Sequence, residues 1–212
     1  MIELFALAQE CAPNVRQETL AAIVKTESSY NPYAIGVVAG KLERQPKNKE
    51  EAIATAKALE AAGWNYSLGL TQINKHNLPL YSVSIKEAFD PCINLKIGAQ
   101  IFNECRTRAQ KKTENTGLAF SMALSCYYSG NFETGFKKGP QGGPSYVEKI
   151  AANLSEGAKV IPVIPNQKEK EGSYPPTYGP VLLKLDEKTS IEEGEEGQRN
   201  EEAKTQNPKI VF

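Results

Sequence analysis

The sequence predicts a mainly α-helical domain with at most a short β-hairpin, followed by a disordered C-terminal tail, and three observations carry that prediction. Apolar residues recur at helical spacing in five separate segments, each with a recognisable start or stop signal. Strand signals are scarce and confined to "NYSLGLTQIN" (65–74). Beyond about residue 158 the periodicity dissolves into "PVIPNQKEKEGSYPPTYGP" and the acidic "DEKTSIEEGEEGQRNEEAK", a composition that buries too little apolar surface to offset chain entropy. The chain therefore divides into a folded domain, 1–158, and a flexible Pro-rich and acidic tail, 159–212, in which "VLLKL" (181–185) reads as a short docking strand or helix and the terminal "IVF" as a small apolar anchor.

Taken in order, the opening "MIELFALAQ" is apolar but lacks a basic n-region and is short for a complete signal peptide. It reads as the remnant of one or as a native first helix. Leu20, Ile23, Val24 and Glu27 then share one helical face, and Asn31, biased out of helical geometry by Pro32, ends that helix near Tyr30. "KEEAIATAKALEAAG" gives a second helix stopped by Gly63. In "DPCINLKIGAQIFNECRTRAQ", Asp90 is the N-cap and Pro91 the first helical residue, with Ile97, Ile101 and Cys105 facing inward. "GLAFSMALSCYYSG" stops at Gly130, and "SYVEKIAANL" presents Tyr146, Ile150 and Leu154 together. The stretch from Val37 to about Gly63 is longer than a simple connection; it reads as a packing insertion or as a border of a binding cleft.

At 212 residues, 40% apolar and 24% charged, the chain is long enough for a proper core. Lysine plus arginine and aspartate plus glutamate balance at 25 each, which argues against a global attraction to nucleic acid or acidic lipid. No apolar run approaches the ~20 residues of a membrane span. Cys11, Cys92, Cys105 and Cys126 have no close spacing of a metal or redox motif, and His76, read as a surface or turn residue, is the sole histidine. No metal and no cofactor is expected. The even cysteine count fits either disulfides or buried reduced thiols.

Glu27 is the residue that points to chemistry. It falls on the apolar stripe in the last turn of its helix, where burial and the negative end of the helix dipole both disfavour the carboxylate. A carboxyl so placed is a proton donor near neutral pH. The competing reading, of equal weight on periodicity alone, pairs it with Lys25 or another nearby base, or leaves it at a frayed, solvated end.

The order of motifs changes that balance. "ESSYNPYAIG", "SLGLTQIN", "FDPCINLKIGAQI", "ALSCYYSGN" and "PSYVEKI" follow one another. This succession resembles the lytic transglycosylase family with its goose-type-lysozyme-like fold, and most closely the peptidoglycan-cleaving members attached to type IV secretion systems. The resemblance runs from about Cys11 to Ile150. It implies that Glu27 is the sole catalytic acid/base, and that Gln72 lines the groove as a substrate-contacting amide. It also implies that Tyr127 reaches the glutamate and the sugar, and that Tyr146 begins the last core helix and closes the cleft. Tyr128 stands where the family usually has Asn, so the amide contact is lost there unless Asn131 replaces it. The implied reaction cleaves the β-1,4 bond between N-acetylmuramic acid and N-acetylglucosamine, with the muramoyl C6 hydroxyl replacing water to give a 1,6-anhydro sugar. A two-carboxylate hydrolase would need a partner, and the candidates are poor: Asp90 reads as a cap, Asp186 lies in the tail, and Glu104 reads as a solvated helix residue.

The resemblance also implies a periplasmic location and disulfides Cys11 to Cys92 and Cys105 to Cys126. Its partners would be peptidoglycan glycan strands and, through the tail, secretion-system subunits. Two other classes stay open at this level: a catalytically weak glycan-binding scaffold, and a lysozyme-type hydrolase ending in a reducing sugar. Trp64, following Gly63, reads as an anchor for the preceding helix rather than a ligand contact.

Overall fold

A computed structural model describes residues 2–155. The segment assigned above to the tail, 159–212, lies outside the described residues. Among the described residues, seven helices and a small sheet follow one another in the order α1 (Ile2–Cys11), α2 (Gln17–Ser28), β1 (Ile35–Val37), α3 (Lys49–Ala61), β2 (Tyr66–Leu68), β3 (Ile73–Asn74), α4 (Ile85–Ala88), α5 (Pro91–Gln110), α6 (Thr116–Ser129) and α7 (Tyr146–Ser155). The mainly helical class holds, and a 3-10 turn, Lys75–Tyr81, links β3 to α4. The opening segment forms α1, with Ala8 buried in the core.

Short polar side chains start the helices by accepting backbone N–H groups that have no partner within the helix. Asn48 accepts from Glu51, Asp90 from Ile93 and Asn115 from Leu118. Ser145 and Glu148 form a reciprocal capping box, each side chain accepting the other residue's backbone N–H. That box fixes Tyr146 as the first residue of α7. Helix α3 ends in a Schellman motif: Gly63, at φ 74°, donates to Glu60 and Trp64 donates to Leu59.

Helix α5 packs along α6, α2 packs along α7, and α1 rests on both α2 and α5. Leu20, Ile23 and Val24 of α2, Leu95 and Phe102 of α5, Leu124 of α6 and Ile150 of α7 fill the interior between them. Two disulfides lock the arrangement. Cys11–Cys92 ties the end of α1 to the start of α5, and Cys105–Cys126 ties α5 to α6. Each closes a long loop, which by chain-entropy reasoning stabilises the fold by roughly 3–5 kcal/mol.

The anticipated hairpin is β2–β3, with Ser67 opposite Asn74 and Leu68 opposite Ile73. A third strand, β1, pairs antiparallel with β2 and extends the hairpin to a three-stranded sheet. At three residues β1 is too short to declare itself by alternation. Its outer edge is covered by a side chain rather than a strand: Gln45 accepts from the Ile35 N–H at 2.8 Å and donates to the Ile35 carbonyl at 3.0 Å. The 37–63 insertion thus does both things proposed for it, because α3 packs with Ala52 and Ala56 fully buried while Val37 and Val38 face the cleft described next.

Candidate active site

A cleft of about 280 Å³ opens between the helices and the sheet. Glu27, Tyr127, Tyr128 and Ile101 line its helical wall; Gly36, Val37, Val38, Ser67, Gln72, Ile73, Asn74 and Asn77 line the other. Glu27 occupies the last turn of α2, which two consecutive left-handed residues, Ser29 (φ 51°) and Tyr30 (φ 68°), then terminate. Burial pushes its pKa up from the ordinary 4.5 to about 7; a hydrogen bond from Tyr146 and the positive charge of Lys149 act in the opposite direction. The base near Glu27 is therefore Lys149 of α7.

Tyr146 donates to Glu27 Oε1 at 2.6 Å across 119 residues of sequence. The phenol is buried, which together with the nearby carboxylate holds its pKa well above the usual value, so it stays protonated and remains a donor. Its ring stacks on Tyr128, with centroids 4.6 Å apart and planes 15° from parallel. Tyr146 sits behind the acid, 7% exposed and outside the cleft lining. It supports Glu27 and does not close the cleft.

Tyr127 lines the cleft, but its hydroxyl donates to the Thr71 carbonyl at 2.7 Å instead of reaching the glutamate. Tyr128, half exposed, presents its outer face to the cleft. Gln72 is in the cleft at φ 50°, yet its amide nitrogen is committed to the carbonyls of Gly69 and Ala34 at 2.9 and 3.2 Å. Its oxygen lies against Gly36, where an added Cβ would come within 2.6 Å of it. Gln72 therefore shapes the sheet wall, with no free amide N–H for a ligand. Asn131 does not replace the missing amide at 128. Its side chain accepts from Glu133 and Thr134 and donates to Ser129, folding the loop after α6. Glu104 is exposed on α5 and absent from the cleft lining.

The turn that carries Gln72 is pinned from beneath by a buried polar cluster. Asn94 of α5 donates to the Leu68 and Ala88 carbonyls and accepts from the Thr71 N–H and hydroxyl, at 2.8 to 3.0 Å. Two glycines permit this approach: a Cβ on Gly69 would collide with Asn94, and one on Gly98 with Thr71.

Sequence reasoning missed Lys149, Ser67, Asn74 and Asn77. Hairpin register could have found two of them, since Ser67 and Asn74 are a facing pair. Among the described residues no cluster of His, Cys, Asp or Glu could hold a metal ion, and no helix is long and apolar enough to cross a membrane.

This site geometry belongs with a family likeness that covers most of the domain. The transglycosylase SLT domain model matches residues 5–147. "Type IV secretion system protein virB1" of Brucella suis biovar 1 (strain 1330) is 52% identical over 166 residues, 78% of this chain and 69% of the relative. "Protein virB1" of Agrobacterium fabrum (strain C58 / ATCC 33970) is 28% identical over 167 residues, 78% of this chain and 65% of the relative. No solved structure matches the chain significantly. With the family model spanning more than half of its length, the chain belongs to the transglycosylase SLT domain family and is a lytic transglycosylase.

Proposed function

We propose that the chain cleaves the β-1,4 bond between N-acetylmuramic acid and N-acetylglucosamine in peptidoglycan, with Glu27 as its one acid and base. The observation that carries this reading is that Glu27 is, among the described residues, the one carboxyl lining the cleft, with a pKa pushed up to about 7. Tyr146 donates to Oε1, leaving Oε2 to carry the transferable proton. That proton passes to the glycosidic oxygen as the C1–O bond breaks, and the N-acetylglucosamine side departs with a hydroxyl. The Tyr146 hydrogen bond and the Lys149 charge both favour the carboxylate so formed. The carboxylate then takes the proton of the muramoyl C6 hydroxyl as its oxygen closes on C1. The product is a 1,6-anhydro sugar, no water is consumed, and Glu27 is protonated again.

The similarity to proteins named for type IV secretion supports a setting for this chemistry: local opening of the wall in the periplasm during assembly of such a system, with the 159–212 segment recruiting its subunits. The decisive experiment is mass spectrometry of muropeptides released from purified peptidoglycan by the wild type and by Glu27→Gln. Anhydromuramoyl products, one water lighter than hydrolytic ones, are expected from the wild type and at least 100-fold fewer from the variant. Reducing-end products would make the enzyme a hydrolase, and undiminished cleavage by Glu27→Gln would remove Glu27 from its role.

A further inference from the structure

The backbone of Trp64 completes the helix stop after α3, while its indole remains 44% exposed. This ring is next to the cleft. Asn65, the following residue, accepts the Val38 N–H through its carbonyl at 2.9 Å and the Asn74 side-chain amide through Oδ1 at 3.0 Å. Val38 and Asn74 both line the cleft. The indole and the cleft-lining Val37 also flank Gly40, where an added methyl would lie 3.5 Å from Trp64 Cζ3 and 3.3 Å from Val37 Cγ1. Val38, at 52% exposure, adds apolar surface to the same strip. An exposed indole and the partly exposed Asn65 thus border the part of the sheet wall formed by Val37, Val38 and Asn74.

We propose that Trp64, with Val38 and Asn65, forms an outer sugar subsite that takes one N-acetylhexosamine ring of a β-1,4 glycan extending out of the cleft. The chemistry favours a sugar: the CH face of a pyranose packs on an aromatic plane, and its hydroxyl and N-acetyl groups need fixed amides at the rim. Continuity with the cleft favours a ring of the same strand whose other sugars lie beside Glu27. The occupant's identity rests on the peptidoglycan reading above; the adjacency of Trp64 to the cleft does not.

Trp64 is the only tryptophan in the chain, so its emission reports this subsite directly. The full chain carrying Glu27→Gln is titrated with β-1,4-linked N-acetylglucosamine oligomers of two and six units, followed by tryptophan emission and in parallel by calorimetry. The hexamer is expected to shift the emission saturably and the dimer to leave it unchanged. Trp64→Ala added to that background is expected to weaken hexamer binding up to about tenfold, and Trp64→Phe to restore most of it. Hexamer binding seen by calorimetry with silent emission, hexamer affinity unchanged in Trp64→Ala, or no hexamer binding at all would each overturn the subsite; silent emission would leave the ring to a protein partner. The two readings fail separately. Anhydro products from the wild type with a silent Trp64 would sink the subsite alone, whereas a Trp64 response without any wild-type cleavage would sink the enzymatic reading alone.

Discussion

The helical wall of the cleft and its sheet wall are held together in different ways. Glu27 and Tyr127 on the helical wall, and Tyr146 behind it, come from three helices, and the hydroxyl contacts of the two tyrosines span 119 residues in one case and 56 in the other. Around them lie buried side chains and the Cys105–Cys126 disulfide, one residue from Tyr127. On the sheet wall, Gln45, Gln72 and Asn94 instead bond side-chain amides to backbone, substituting for strands that are too short to pair fully. The packed wall can hold one carboxyl in a low-dielectric position, which is what raises its pKa. A wall of backbone, amides and exposed aliphatic groups offers recognition without charge. A carboxyl of raised pKa and an uncharged wall thus face each other across one cleft.

The strongest way to break this contrast is to remove Asn94, the α5 residue on which the sheet wall depends. Asn94→Ala would leave the Thr71 N–H and the Leu68 and Ala88 carbonyls without their side-chain partner in a buried site. At about 1–3 kcal/mol for each orphaned group, partly relieved by relaxation, a loss of roughly 3–5 kcal/mol is expected in denaturant unfolding. A loss below ~1 kcal/mol would mean that close packing at Gly69 and Gly98 fixes the turn without the amide.

Tyr146→Phe tests the helical wall with little change in shape. A hydrogen bond to a charged group contributes about 1.5–3 kcal/mol, so kcat/KM should fall roughly 10- to 100-fold. The pH profile gives a second readout. With Glu27 as the proposed acid, kcat/KM should be high below its pKa and decline as pH rises through about 7. Tyr146 lowers that pKa, and its loss should move the decline to higher pH. A slower variant with an unmoved profile would show that the phenol positions Glu27 without tuning it.

These two walls were not equally legible in the sequence. Helix spacing placed Glu27 on an inward face, and a cap, a proline and glycines located α5, α6 and the end of α3, because such signals act within one or two turns. Tyr146 could be placed at the head of the last helix, but not opposite Glu27, since no local pattern encodes a bond across 119 residues. Gln72 was identifiable as a cleft residue, whereas the commitment of its amide to backbone follows from its left-handed conformation. The third strand was hidden because a glutamine side chain, not a neighbouring strand, satisfies its edge. Gly63 correctly announced a helix stop through the backbone of Trp64, and that same correct reading concealed the exposed ring.

The smallest expected effect sharpens the account of how the acid is tuned. Lys149 follows Tyr146 by three residues on α7, so both project toward neighbouring positions on one helix face. Its charge favours the Glu27 carboxylate, but Lys149 is itself exposed, and water and salt weaken such an interaction. Lys149→Met keeps the apolar stem and removes the charge. The alkaline decline of kcat/KM should then move to higher pH by about half a unit, less than in Tyr146→Phe. Added salt should produce part of the same movement in the wild type and little in the variant, because screening replaces what the substitution removes. The Tyr146 effect should resist salt, since a short buried hydrogen bond is not screened by ions in the cleft. Equal salt sensitivity in both variants would place the phenol's influence in the solvent-exposed field of the cleft and remove the distinction between a packed, tuned wall and an open one.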